Sequence, residues 1–385
     1  MSEEAYIIDA VRTPRGKRNG SLSLVHPIDL AAAPIRALVE RTRIDPKTID
    51  DVIYGCVSQR GEQDNVIGRE AVLAAGLPIE VPGYTVNRFC GSGLNAVMAA
   101  SHAVMAGQED LVIAGGVEHM TRVPMVIEFK MEGSELDKRF PNMVSQGISA
   151  EMIADRYHFS RRALDEYSAE SQRRAGQAWE ERHFAKGIIP IKAKTQDGKE
   201  FLFEKDEHMR PQTTADSLAN LKPVFKPDGV IHAGNSSGIV DGAGAILLAS
   251  EKAVKKNGLK SRGRVLATAQ VGDDPILMLL GPIPCTRKVL QKAGLSLKQV
   301  DLYEVNEAFA PVPMAWLHDL KTEGADWKKL NVNGGAIALG HPIGATGAML
   351  VGTVLDELER TDKRYGLVTL CTGLGMAVAT LIERL

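Results

Sequence analysis

Cys90 stands in the run Val86-Asn87-Arg88-Phe89-Cys90-Gly91-Ser92-Gly93-Leu94, where a short extended stretch breaks into small residues and then into a helical pattern over 94–105. A thiol at a helix start meets unpaired backbone N–H groups and the positive end of the helix dipole, both of which favour its thiolate. Such placement, or a neighbouring histidine, lowers a cysteine from about 8.5 to roughly 3.5–7.5. Gly91 and Gly93 let a substrate carbonyl approach the backbone closely, as a site for a developing oxyanion requires. The residues predict a nucleophile; the plainer alternative is a buried structural cysteine beside packing glycines.

A nucleophilic thiol needs a base, and two later turns offer candidates. His341 lies in the glycine-dense run Asn333-Gly334-Gly335-Ala336-Ile337-Ala338-Leu339-Gly340-His341-Pro342 ahead of a helical segment. There it can take a proton from a neighbouring thiol and donate to an oxyanion, or simply bond local backbone. Cys371, in Leu370-Cys371-Thr372-Gly373-Leu374-Gly375, places a second thiol at a strand end before a turn, as an acid/base or a core cysteine. Asn306, in Glu304-Val305-Asn306-Glu307-Ala308-Phe309, offers an amide at a strand end, fit to hold a histidine or a water, or to cap a helix.

The elements that must bring these turns together follow a repeating order. Apolar runs at 5–11, 51–57, 83–86 and 110–116 alternate with helical patterns at 27–41, 65–76 and 94–105, which predicts α/β layers around a mostly parallel sheet. From about residue 117 to 234 charges become dense. An amphipathic helix is expected at 161–184, in an insertion that covers one face and carries substrate contacts. The α/β texture then resumes as a second copy. Ile49-Asp50 returns as Val300-Asp301, Val86-Asn87 as Val332-Asn333 and Leu111-Val112 as Leu367-Val368, all about 250 residues apart. Duplication places the working loops of both halves at a shared interface. The expected organisation is 1–117 as the first part of an N-terminal half, 118–234 as the insertion, 235–262 completing that half, and 263–385 as the C-terminal half.

Composition narrows the class of protein. A chain of 385 residues with formal charge −2 gives no case for nucleic acid as the main partner. The four cysteines, Cys56, Cys90, Cys285 and Cys371, are far apart and form no Cys-x-x-Cys pair, so neither a zinc site nor a disulfide framework is expected. A strand-like run beginning at Ala5 leaves no room for a leader, no apolar stretch reaches about 18 residues, and Glu383-Arg384-Leu385 is not a peroxisomal signal. These features predict a cytoplasmic protein with no membrane span.

Taken together, these motifs are those of a known family. Val-Asn-x-x-Cys-Gly-Ser-Gly at Cys90, Gly-Asn-x-Ser-Gly with Asp-Gly-Ala between Gly234 and Ala243, Asn-Glu-Ala-Phe at Asn306, the run ending Gly-His-Pro at Pro342, and Cys371 near the end occur in one order along the whole chain. The sequence resembles the thiolases, close to the degradative 3-ketoacyl-CoA thiolases (acetyl-CoA acyltransferases). The resemblance implies a duplicated, five-layered αβαβα fold with an inserted loop domain. It implies Cys90 as the acylated nucleophile, His341 as its activator and Cys371 as the acid/base at the acetyl-CoA carbon. Asn306, through a water, would join His341 in one oxyanion hole, and the N–H groups of Cys90 and Gly373 would form another. Arg210, Ser217 and Ser237 would contact CoA, and Phe225 and Phe309 would line the pantetheine and acyl pocket. No permanently bound cofactor and no metal are implied, only coenzyme A as co-substrate and acyl-CoA as partner. A homodimer or homotetramer is expected, with room for membership of a β-oxidation complex.

Two departures bear on substrate. Leu374 interrupts the consecutive glycines usual after the second cysteine, and Ser145-Gln146-Gly147 stands where the covering loop often carries Met-Gly. A glutamine there argues against strict four-carbon specificity. A biosynthetic, acetoacetyl-CoA-forming enzyme and a non-catalytic acyl-CoA or lipid binder are the alternatives; the second is expected to have lost Cys90, His341 or Cys371, and all three are present.

Overall fold

A computed structural model describes residues 3–125 and 131–385; the part of the expected insertion at 126–130 lies outside the described residues. The strands are β1 (Ala5–Arg12), β2 (Gly16–Lys17), β3 (Asp51–Gly55), β4 (Tyr84–Val86), β5 (Leu111–His119), β6 (Ile191–Lys194), β7 (Glu200–Phe203), β8 (Val240–Ala249), β9 (Gly263–Gly272), β10 (Leu302–Val305), β11 (Tyr365–Thr372) and β12 (Met376–Arg384). All but β6 and β7, which pair as a separate hairpin, join one sheet in the order β10-β11-β12-β9-β1-β8-β5-β3-β4, with β2 on β8.

The duplication is written in the pairing. In the first half β3 runs parallel to β5, which pairs antiparallel with β8, which pairs antiparallel with β1. In the second half β10 runs parallel to β11, which pairs antiparallel with β12, and then with β9. One polar contact is repeated with it. The Asp50 carboxylate accepts the N–H groups of Asp110 and Leu111 at 2.7 and 2.8 Å, and Asp301 accepts those of Arg364 and Tyr365 at 3.0 and 2.9 Å. This contact corrects one landmark: Leu111 corresponds to Tyr365, two residues before Leu367. The slip is even, so each side chain still faces the same way.

The sheet is mixed rather than mostly parallel. Among the described residues only the β3–β5 and β10–β11 crossovers, and the short β4 beside β3, pair as parallel strands. β12 follows β11 through a tight turn and β8 returns from the insertion, so neither has the crossover helix that a parallel neighbour needs.

Side chains alternate between two burials. Val112, Ala114, Ile246 and Leu248 from the first half and Val368, Leu370 and Val378 from the second share one core with the Ser92–Met105 and Thr346–Arg360 helices. The intervening Ile113, Leu247 and Ala249 pack outward with the Pro27–Thr42 and Ile67–Ala74 helices. Leu367, Ala379 and Leu381 pack with the Pro282–Ala293 helix. The period of two therefore sorts each strand into an inner and an outer face, and the central helix pair lies between the half-sheets to give five layers. Both faces are buried, which is why the strands read as continuous apolar runs.

The chain between β5 and β8 carries the Gln146–Arg156 and Arg161–Glu180 helices and the β6–β7 hairpin. The longer helix ends at Glu180 rather than 184. It is tied to the second half where Tyr167 and Ser171 donate to the Glu307 carboxylate at 2.9 and 2.7 Å.

Candidate active site

Cys90 sits at the turn between β4 and the Ser92–Met105 helix. Phe89 just before it has φ +48°, a left-handed conformation costing a non-glycine residue about 1 kcal/mol or more. Its neighbours explain how the turn persists. Asn87 Oδ1 accepts the Phe89 N–H at 2.9 Å, and Ser92 Oγ accepts the Arg88 N–H at 2.8 Å while donating to the Phe89 carbonyl at 2.6 Å. The asparagine and serine of the motif thus shape the backbone rather than the chemistry. Gly91 is a packing requirement: a Cβ there would lie 2.8 Å from Val378 and 2.9 Å from Thr372.

The loop bearing His341 comes from the other half and crosses bare backbone. The Gly344 carbonyl passes so near Gly55, Gly93 and Gly116 that a Cβ on any of them would fall 2.6, 2.7 or 2.1 Å from it. Real Cβ atoms do not sit that close to a carbonyl, so three first-half glycines are needed to admit one second-half loop. Glu118, fully buried at the end of β5, fastens the crossing. Its carboxylate accepts the N–H groups of Val57, Ser58 and Gly344 and the Gln63 amide at 2.9–3.1 Å. Behind the loop Arg15 donates to the Gly340 carbonyl at 3.2 Å.

These contacts set the tautomer of His341. Thr346 Oγ1 lies 2.6 Å from Nδ1 and gives its single hydrogen to the Pro342 carbonyl at 2.9 Å. The hydroxyl must then accept from Nδ1–H, which leaves the Nε2 lone pair free. The Asn306 amide nitrogen lies 3.4 Å from Nε2, a long contact, with Asn306 Oδ1 buried and unpaired. Burial, helped by the Arg15 charge, pushes His341 down to about 3, so the ring is neutral and its Nε2 is a base.

Cys90 departs from the expectation of a lowered value. Burial pushes its thiol up to about 12 and Glu118 adds to the rise, while its own N–H and a hydrogen bond from Gln146 pull only partly the other way. Loss of water outweighs the helix terminus because the thiolate loses all its solvation and gains only partial charges. The resting thiol is therefore neutral, and the proton leaves when substrate chemistry draws it to His341. Alkylation of Cys90 by iodoacetamide should then rise about tenfold per pH unit from 7 to 10, without the plateau above about 8.5 expected of an ordinary thiol. Measured pseudo-first-order rates check this, and a plateau near pH 7 would show a preformed thiolate instead.

Cys90 and His341 open onto one cavity of about 460 Å³. Phe225 and Phe309 meet edge-to-face with centroids 5.9 Å apart on its wall, and the Phe225 ring covers Gly147, where a Cβ would fall 2.2 Å away. Arg210 and Ser237 line it as well. Ser217 does not; it is exposed and closes a capping box with Thr214 on the Ala215–Ala219 helix. Cys371 is fully buried in an apolar cluster with Phe309 and Ile337, and burial above all pushes its thiol up. Gly373 turns beneath the Phe89 ring, 3.3 Å from where its Cβ would be. Leu374 takes φ +62°, so the turn holds without the missing glycine at the cost of a strained leucine.

Sequence reasoning missed the supporting groups. Glu118 and Thr346 have no motif of their own, although an acid ending an otherwise apolar strand is a signal for Glu118. Met120 and Ile343, which pack on Cys90, read as ordinary apolar residues. Among the described residues no cluster of three or more His, Cys, Asp or Glu could hold a metal, and no helix is long and apolar enough to cross a membrane.

Comparison with known proteins agrees with this geometry. Residues 5–252 match the family description "Thiolase, N-terminal domain" and residues 259–384 "Thiolase, C-terminal domain". The chain is 45% identical to a β-ketoadipyl-CoA thiolase of Pseudomonas knackmussii over 402 aligned positions, covering all of both chains. It is also 45% identical to the steroid 3-ketoacyl-CoA thiolase FadA6 of Mycobacterium tuberculosis, covering 99% of this chain and 94% of that one. The crystal structure of the Bacillus anthracis acetyl-CoA acetyltransferase superposes with a TM-score of 0.92 at 37% identity, covering 100% of this chain and 99% of that one. That of human mitochondrial 3-ketoacyl-CoA thiolase superposes with a TM-score of 0.91 at 36% identity and the same coverage. With two halves of one duplicated fold joined across a cysteine and a histidine, the chain belongs to the thiolase family.

Proposed function

We propose that the protein cleaves a 3-ketoacyl-CoA with coenzyme A to acetyl-CoA and a shortened acyl-CoA, by a ping-pong route through acyl-Cys90. The observation that carries this reading is a neutral thiol and an unprotonated imidazole nitrogen opening onto one cavity from opposite halves of the fold. His341 Nε2 takes the Cys90 proton as sulfur attacks the keto carbon. The bond between that carbon and the next breaks, and its electron pair becomes the acetyl-CoA enolate, which Cys371 protonates. Acetyl-CoA leaves, a second CoA gives its thiol proton to Cys371 and attacks the thioester, and the acyl group departs on CoA as Cys90 recovers its proton.

Two oxyanions form on this route. We assign one to His341 with Asn306 acting through a water, and one to the N–H groups of Cys90 and Gly373. The first assignment draws support from the Asn306 position beside Nε2. We assign Arg210, Ser237, Phe225 and Phe309 to the CoA arm, which their place on the cavity supports; Ser217 lies off the cavity and has no such support. Run backwards, the same steps condense two acyl-CoA molecules. We take a homodimer or homotetramer as the assembly, which native mass measurement tests.

The deciding experiment follows CoA-dependent release of acetyl-CoA from a series running from acetoacetyl-CoA through long and ring-bearing chains to 3-oxoadipyl-CoA, the acyl group named in several relatives. Cleavage of at least one member is expected. If acyl-CoA binds and nothing is cleaved, the protein is a carrier and this reading is wrong.

A further inference from the structure

The cavity in front of Cys90 is unbalanced in charge. Lys17, Arg18 and Arg210 line it, and no Asp or Glu does among the described residues. Arg210 belongs to the covering segment that also carries Phe225, and both are assigned to the CoA arm. Lys17 and Arg18 come from the end of β2 and the residue after it, in the first half of the fold, and bring two further cations to the same cavity.

The loop they begin is built, not merely near. The Glu207 carboxylate accepts the N–H groups of Lys17 and Ser21 at 3.1 and 3.0 Å and the Ser21 hydroxyl at 3.1 Å. Gly20 leaves room for it, since a Cβ would fall 2.3 Å from a Glu207 oxygen. The Asn19 N–H donates to Thr121 Oγ1 at 3.0 Å, and Thr121 is held in turn by Asp241. Thr121 follows Met120, which shares an apolar cluster with Cys90 and Ile343. Apolar Met120 and Ile343, which pack on Cys90, and the exposed cationic residues Lys17 and Arg18 thus line one cavity, with the Asn19–Thr121 bond joining the two groups. Lys17 Nζ lies 3.7 Å from Glu207, which offsets its charge. Arg18 has no acidic partner among the described residues.

An alkyl chain gains nothing from a guanidinium at its end. A carboxylate gains a paired, charge-assisted hydrogen bond. We propose that the Lys17–Arg18 loop is a carboxylate-binding subsite at the end of the acyl pocket, with Arg18 reading the terminal carboxylate of an ω-carboxylated 3-ketoacyl chain. This inference rests on the thiolase reading above and adds to it the class of acyl group and the residue that selects it. The Met120–Ile343 stretch holds the methylenes between the two polar ends.

The test compares wild type and Arg18→Gln on 3-oxoadipyl-CoA and on 3-oxohexanoyl-CoA, a chain of equal length without the carboxylate. Wild type should prefer the diacid. Arg18→Gln should lower kcat/KM for the diacid by about tenfold to a hundredfold, mostly through KM, and leave 3-oxohexanoyl-CoA unchanged, which also shows that the variant is folded. Equal losses on both substrates would assign Arg18 to the CoA phosphates and overturn the proposal, as would no loss on either. If wild type cleaves 3-oxohexanoyl-CoA better than the diacid, the carboxylate subsite fails while the thiolase reading stands. If it cleaves no 3-ketoacyl-CoA of any length, both fall.

Discussion

Cys90→Ser should lower kcat for thiolysis on the order of 10⁴-fold while leaving the fold and acyl-CoA binding intact. The size of the loss follows from the resting protonation states. His341, held near 3, is a weak base, and the Cys90 thiol, though pushed up to about 12, still yields a far better nucleophile than a serine hydroxyl. His341→Ala should cost a comparable factor, because the thiol then has no acceptor for its proton. The two residues act as one unit, so the double variant should be little worse than either single one. Quenched-flow thiolysis and intact-mass detection of the acyl-enzyme measure this. A serine variant within tenfold of wild type would move the nucleophile elsewhere.

Glu118→Ala should destabilise the protein by about 4 kcal/mol, near the top of the range for single substitutions. Four donors, three of them backbone N–H groups, would lose their acceptor inside the protein, and an unmet buried donor costs about 1–3 kcal/mol. Partial access of water to the vacated space keeps the total below the sum. One of the four is the Gly344 N–H, so the same change should loosen the His341 loop and lower kcat more than it raises KM. Glu118→Gln keeps the volume but turns an amide NH₂ toward N–H donors, and should fall between the alanine variant and wild type. Urea unfolding midpoints and steady-state kinetics on the folded fraction check both. A loss under about 1 kcal/mol for the alanine variant would mean that the loop is held by its glycine contacts alone.

Much of this site is legible in the sequence. Cys90 and His341 sit in turns and Cys371 at a strand end, each marked by glycines and flanking apolar runs, and the duplication is followed through Asp50 and Asp301, whose carboxylates accept matching pairs of strand-start N–H groups. The sheet direction was not legible, since a strand buried on both faces shows the same apolar run whether its neighbour is parallel or antiparallel. Gln146 could be noticed only as a departure from a pattern, and nothing local said that it would reach Cys90.

What the sequence determined by itself is therefore the local chemistry: which residues can attack, accept a proton or turn the chain, because those properties belong to side-chain type and short-range backbone preference. What only the tertiary structure decided is the state in which they wait. Cys90 at a helix start reads as a thiolate, yet the fold buries it beside Glu118 and keeps it protonated, and His341 becomes a neutral base through the loss of water and the Arg15 charge, with Thr346 fixing its tautomer. Solvation and long-range charge are properties of the assembled core, summed over segments hundreds of residues apart, and no window of sequence contains them.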